Sequence, residues 1–120
     1  MRKVFFILTV LIGTMGLAQN KNAKATFEVD GVCNMCKERI EKAAIKAKGV
    51  KLANWDVNTH ELNLIYDERK TSLSQIEQSI ADSGHDTKTI KATDEAYNSL
   101  HQCCWYRDEA VRDDHKDDKQ

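Results

Sequence analysis

Between Ala25 and Ala92 the spacing of apolar residues alternates between the two-residue period of a strand and the 3.6-residue period of a helix, which limits the folds open to the chain. Ala25-Thr26-Phe27-Glu28-Val29-Asp30 alternates apolar with polar and predicts a half-buried first strand. From Cys36 to Lys48, residues Cys36, Ile40, Ala43, Ala44 and Ala47 share one helical face, with Gly49 as C-cap. Ala53, Trp55 and Val57 alternate, residues 58–61 turn the chain, and Leu62, Leu64 and Tyr66 alternate again, as in a hairpin. Ser72 and Gln75 have capping-box spacing ahead of the stripe Leu73, Ile76, Ile80 and Ala81, and Gly84 closes this second helix. A last strand over Asp86 to Ala92 rests on Thr87, Thr89 and Ile90.

Strand, helix, strand, strand, helix, strand is the order of an α+β, ferredoxin-like βαββαβ sandwich, a four-stranded antiparallel sheet with two helices on one face. In that order the loop after the first strand and the loop before the last strand share one end of the sheet, which brings Cys33 and His85 together. Asp94 to Arg107 is predicted as a short C-terminal helical extension, with Ala96, Tyr97, Leu100 and Cys104 on one side. From Asp108 onward charge dominates, so residues 93–120 are expected as a helix followed by a solvated tail.

The first 18 residues read differently. Arg2 and Lys3 precede an apolar run from Val4 to Ile12, and Gly16-Leu17-Ala18 offers small residues before Gln19, the layout of a secretory signal peptide over 1–18. The run falls short of the ~20 residues that span a bilayer. A protein exported to the periplasm or secreted, and soluble after cleavage, is expected. Loss of Arg2 and Lys3 takes the formal charge from −1 to −3, a balance that gives a nucleic-acid backbone nothing to bind. The strands also lack exposed stacking aromatics.

Chemistry concentrates in Cys33-Asn34-Met35-Cys36, two thiols three apart where the first helix begins. Unsatisfied N–H groups in a first helical turn favour thiolate, the form that ligates. Soft thiolates select Cu(I) and similar ions over hard cations, and the spacing lets both sulfurs reach one ion. A plain disulfide is the bland alternative. Disulfide exchange by Cys33-Cys36, with Cys103-Cys104 as a resolving pair, is the rival function. The chain contains no proline to stand in cis beside such a motif, which counts against a thioredoxin-type enzyme. Lys37 occupies the position that haem attachment reserves for histidine.

These residues carry a resemblance. Cys33-Asn34-Met35-Cys36 before Lys37-Glu38-Arg39-Ile40-Glu41-Lys42-Ala43, the Gly49-Val50 junction, the hairpin end Leu64-Ile65-Tyr66-Asp67, and Ser83-Gly84-His85-Asp86 are similar to the heavy-metal-associated domain family over residues 24–92. That family includes copper chaperones, periplasmic mercury-binding proteins and modules of metal-exporting ATPases. The resemblance implies a non-enzymatic protein with Cys33 and Cys36 as metal ligands. It would buffer an ion or deliver it by ligand exchange to a metal-exporting ATPase or other metal transporter. Cu(I) is the first expectation, with Hg(II), Ag(I) and Zn(II) as alternatives, and the state is a monomer or a metal-bridged homodimer. Family members commonly carry a methionine two positions before the first cysteine, where this chain has Gly31.

Four further residues stand as possible additional ligands. His85 is placed at the metal end by topology, against a bland reading as a surface loop histidine. His101, Cys103 and Cys104 lie beyond the resemblance and either form a second soft-metal site, complete the coordination of Cys33 and Cys36, or pack without a metal. Adjacent cysteines make a strained mutual bridge, and two reactive thiols in an oxidising compartment are a liability without a use. His60 reads as a turn residue and His115 as solvated.

Overall fold

A computed structural model describes residues 19–117, and the expected leader over 1–18 lies outside them. The hydrophobic periods become β1 (Ala23–Glu28), α1 (Asn34–Lys46), β2 (Val50–Trp55), β3 (Glu61–Tyr66) and α2 (Leu73–Asp82). β3 is central and pairs antiparallel on both sides, with Ala23 opposite Tyr66 on β1 and Trp55 opposite Leu62 on β2. Side chains of a strand alternate between faces, so Leu62, Leu64 and Tyr66 are buried while Glu61 and Asn63 face out.

Both helices lie over that buried face. α1 contributes Cys36, Ile40, Ala43 and Ala44, α2 contributes Ile76 and Ile80, and all join one cluster with Trp55, Leu62 and Leu64. Full burial of side chains such as Ile40, Leu62 or Ile80 is worth about 1.5–3 kcal/mol each, which holds the layers together. The Ser79 hydroxyl donates to the Ala43 carbonyl at 2.7 Å and fixes the helices against each other. The capping expected of Ser72 is present: its Oγ accepts from the Gln75 N–H at 3.3 Å. Gly49 and Gly84 both take positive φ, 101° and 108°, Gly49 in the turn into β2 and Gly84 after α2.

The ferredoxin-like α+β fold is present, but its fourth strand is not formed. Among the described residues the sheet has three strands in the order β1-β3-β2, and the last strand expected over Asp86 to Ala92 shrinks to a single antiparallel bridge between Val29 and Thr87. Side chains outcompete the ladder there. Thr87 Oγ1 accepts from the Ile90 N–H at 3.0 Å, Thr87 and Thr89 both donate to Glu77, and Asp86 Oδ1 accepts from the Ala92 N–H at 2.7 Å.

The extension also departs from the expected single helix over Asp94 to Arg107. It breaks into α3 (Asp94–Asn98), a 3₁₀ turn over Gln102–Cys104, and a turn at Trp105 to Asp108. The break falls where Ser99 Oγ donates back to the Ala96 carbonyl at 2.6 Å and His101 adopts an extended ψ of 143°. Residues after Asp108, expected as solvated tail, form α4 (Glu109–Asp117), started by the Asp108 carboxylate accepting from the Ala110 N–H at 2.9 Å.

Candidate metal centre

Cys33 is the N-cap of α1, with extended φ and ψ of −145° and 173°, and Cys36 sits in the first turn. The short loop before them lies against Trp55. A Cβ on Gly31 would stand 3.0 Å from the Trp55 ring and 3.1 Å from the Cys36 Cβ, tighter than ordinary contact, so a side chain there would have to push the indole or the start of α1 away by a few tenths of an ångström. Trp55 is fully buried and donates through Nε1 to the Val29 and His60 carbonyls at 3.0 and 3.1 Å. The indole thus fills the space beneath the loop in this chain. Lys37, directly after Cys36, reaches the Trp55 carbonyl at 2.8 Å and Glu41 at 2.9 Å, tying the start of α1 to the end of β2.

The Cys33 and Cys36 sulfurs are 3.4 Å apart, with Cys36 fully buried and Cys33 half-buried. Their acidities diverge. Burial opposes ionisation of Cys33, but the backbone amides of Cys36 and Met35 and the thiols of Cys36 and Cys104 outweigh it and lower its pKa. Those amides act without forming a close cap hydrogen bond. For Cys36 burial wins and the thiol is pushed up. Cys104 is raised further still, by burial first and then by its neighbours Cys36 and Cys33. Of the three thiols, Cys33 is the one these environments favour to ionise first, and its neighbours can donate to it.

Cys104 is in that set because the extension folds back onto the domain. Its sulfur lies 3.6 Å from that of Cys33, and the Cys103 sulfur is 3.8 Å from Cys104. The sulfurs of Cys33, Cys103 and Cys104 lie within 4.8 Å of one another. The docking rests on groups other than sulfur. Tyr106 donates to the Gly84 carbonyl at 2.7 Å and accepts from the Asp86 N–H at 2.9 Å. Arg107 pairs with Asp86 at 2.8 Å and sits 4.3 Å above the Tyr97 ring. Leu100 packs on Gly84 so closely that a Cβ there would meet it at 2.7 Å.

The structure places the sequence-predicted residues unequally. Cys33, Cys36, Cys103 and Cys104 come together, and His101 stands at the edge of the cluster with Nδ1 3.3 Å from the Cys103 sulfur. His85 does not join them. It is fully buried, its Nδ1 is 2.8 Å from the Asp30 carbonyl, and its ring stacks on Tyr106 at 5.4 Å. Burial lowers its pKa to about 4, so it is a neutral core residue and neither a surface histidine nor part of the sulfur cluster. His60, in the turn, has φ of 61° and stacks on Trp55.

Two neighbours were not expected. Met35 Sδ is 3.6 Å from the Cys103 sulfur, and His115 Nε2 is 3.1 Å from the Cys103 carbonyl. With Cys33 and Cys103 they line a concavity of about 370 Å³. A methionine between the two cysteines was a usable signal. For His115 the surrounding charged residues gave none, since its position depends on how α4 returns.

The similarity to known proteins lies over the domain. The profile of the heavy-metal-associated domain matches residues 26–86. The chain is 34% identical over 63 residues to the copper chaperone CopZ of Staphylococcus haemolyticus (strain JCSC1435), covering 52% of this chain and 93% of that protein. Among solved structures, a CopZ metallochaperone superposes with a TM-score of 0.52 at 29% identity, covering 54% of this chain and 98% of that one. The N-terminal domain of a potential copper-translocating P-type ATPase from Bacillus subtilis, in its Cu(I)-loaded state, gives 0.53 at 27% identity over 61% of this chain and 92% of its own. By sequence and by fold, the chain belongs to the heavy-metal-associated domain family.

Proposed function

We propose that this protein is a non-enzymatic carrier that binds Cu(I) through Cys33 and Cys36 and passes it by thiolate exchange to a metal transporter. The observation that carries the reading is the pair of sulfurs 3.4 Å apart at the start of α1, in a domain of the heavy-metal-associated family. The donor set suits a soft monovalent ion, because thiolates are poor partners for hard cations. The relatives support the same ion: one is a copper chaperone, another a domain of a potential copper-translocating ATPase. Exchange begins at Cys33, whose sulfur is half-buried and the more acidic of the pair, while buried Cys36 retains the ion until a second partner thiolate arrives. Export follows from the leader-like residues 1–18.

Competition for Cu(I) against a chromogenic chelator, on reduced protein beginning at Gln19, tests the assignment. One tightly held ion per chain is expected, lost when Cys33 and Cys36 are both replaced by serine. An affinity unchanged by that double replacement ends the reading. Transfer is tested by mixing the Cu(I)-loaded protein with the dithiol domain of a metal-exporting ATPase and measuring the copper in each after separation. Export is tested by fractionating host cells and sequencing the mature N-terminus.

A further inference from the structure

We propose that the Cys103-Cys104 pair, through Cys104 first, supplies at least one further ligand to the same ion, so that the C-terminal extension converts the Cys33-Cys36 dithiol into a site of at least three thiolates for one soft, thiophilic cation. The inference rests on the reading of Cys33 and Cys36 as ligands and extends it to residues outside the matched domain.

The sulfurs form a continuous chain. Cys36 to Cys33 is 3.4 Å, Cys33 to Cys104 is 3.6 Å and Cys104 to Cys103 is 3.8 Å. A metal–thiolate bond of about 2.3 Å sets two sulfurs about 4.6 Å apart in linear coordination, about 4.0 Å in trigonal and about 3.8 Å in tetrahedral. The observed spacings of 3.4, 3.6 and 3.8 Å are at or below the tetrahedral value, so closing on one ion asks less movement of three or four sulfurs than of two in line. Cys33 is the hub, since it neighbours both Cys36 and Cys104 and its sulfur also lies 3.8 Å from the Cys103 carbonyl.

The vicinal pair divides its work. Cys104 is fully buried and turned toward the Cys33-Cys36 pair, while Cys103 is half-buried and turned toward Met35 Sδ at 3.6 Å and His101 Nδ1 at 3.3 Å. The clustered ligand atoms are thiols, with a thioether and an imidazole beside Cys103, a soft to borderline set with no carboxylate among them. The arrangement exists before any ion arrives, because Tyr106, Arg107 and Leu100 dock the extension on Gly84 and Asp86 without using sulfur. Each thiol that ligates gives its proton to solvent, so binding releases protons in proportion to the sulfurs engaged. A third thiolate slows exchange with a partner dithiol, so the ion is held more firmly than by Cys33 and Cys36 alone.

X-ray absorption on the Cu(I)-loaded mature protein, kept reduced and verified as monomeric, counts the sulfurs directly. Three or more per copper are expected, and two overturn the proposal while leaving the Cys33-Cys36 site intact. In the C103S/C104V variant the count is expected to fall to two and the affinity to drop at least tenfold, with far-UV circular dichroism checking the fold. An unchanged count in a folded variant also overturns the proposal. Loss of all Cu(I) binding in C33S/C36S, alongside an unaffected C103S/C104V, would sink this inference alone. Full binding in C33S/C36S would sink the dithiol reading itself.

Discussion

The loop over residues 31–36 and the extension over residues 93–117 both place cysteines at one end of the sheet, yet they arrive there by opposite means. The loop is positioned by neighbours in sequence and by Trp55 beneath Gly31. The extension is a series of short pieces, and its cysteines are positioned by Tyr106, Arg107 and Leu100 reaching residues 84–86. A site can therefore combine a ligand pair that is nearly self-placing with one that is only as well placed as its docking contacts. The first pair depends outside its loop chiefly on Trp55, the second on every contact that docks the extension.

The strongest way to break this contrast is Trp55→Ala, which removes the support of the loop and opens a cavity at the centre of the core. A loss of about 3–5 kcal/mol in unfolding free energy is expected by denaturant titration. Stability lost without weaker Cu(I) binding in the surviving folded fraction would show that the loop is self-placing without the indole.

Acid sharpens it next, through His85, which lies beneath the docking point of the extension. Its folded pKa of about 4 is below the ordinary value of 6.5, chiefly from burial, with Arg39 adding to the effect and the Asp30 carbonyl and Asp86 opposing it. The unfolded chain binds a proton between those values and the folded chain does not, so stability is intact above about pH 6.5 and falls as pH drops toward 4. The loss reaches at most about 3 kcal/mol. Chemical denaturation at several pH values checks this, and His85→Asn should flatten the dependence in that window.

Tyr106→Phe tests the docking alone. It strips the hydroxyl shared by the Gly84 carbonyl and the Asp86 N–H, leaving two buried groups unpaired, for an expected cost of about 1–3 kcal/mol. Cys103 should gain reactivity toward a thiol reagent while the far-UV spectrum barely changes. If Cys103 reacts no faster, the extension is held by something other than this hydroxyl. The smallest effect is expected of Ser72→Ala, which removes the cap of α2 far from the sulfurs and should cost about 1 kcal/mol with no change in Cu(I) affinity.

Sequence periodicity located β1 through α2 because each buries one face, and burial leaves its period in the chain whatever the partner is. It mislocated the last strand because Thr87, Thr89 and Asp86 turn their polar atoms on Glu77 and on the local backbone, a choice that depends on where α2 lies. It joined α3 to the 3₁₀ turn because Tyr97, Leu100 and Cys104 share a helical spacing, although they reach the core from separate pieces. His85 was legible as a residue at the metal end and not as a core residue, since its partners Asp30 and Tyr106 are 55 and 21 positions away in the chain.

What the chain determined unaided is the order of its elements and the pairing of Cys33 with Cys36, because periodicity and a three-residue spacing at a helix start are local properties. Only the tertiary structure decided that Cys104 lies 3.6 Å from Cys33 across 71 positions. That proximity is set by how Tyr106, Arg107 and Leu100 seat on Gly84 and Asp86, and contacts between distant segments leave no period in a sequence.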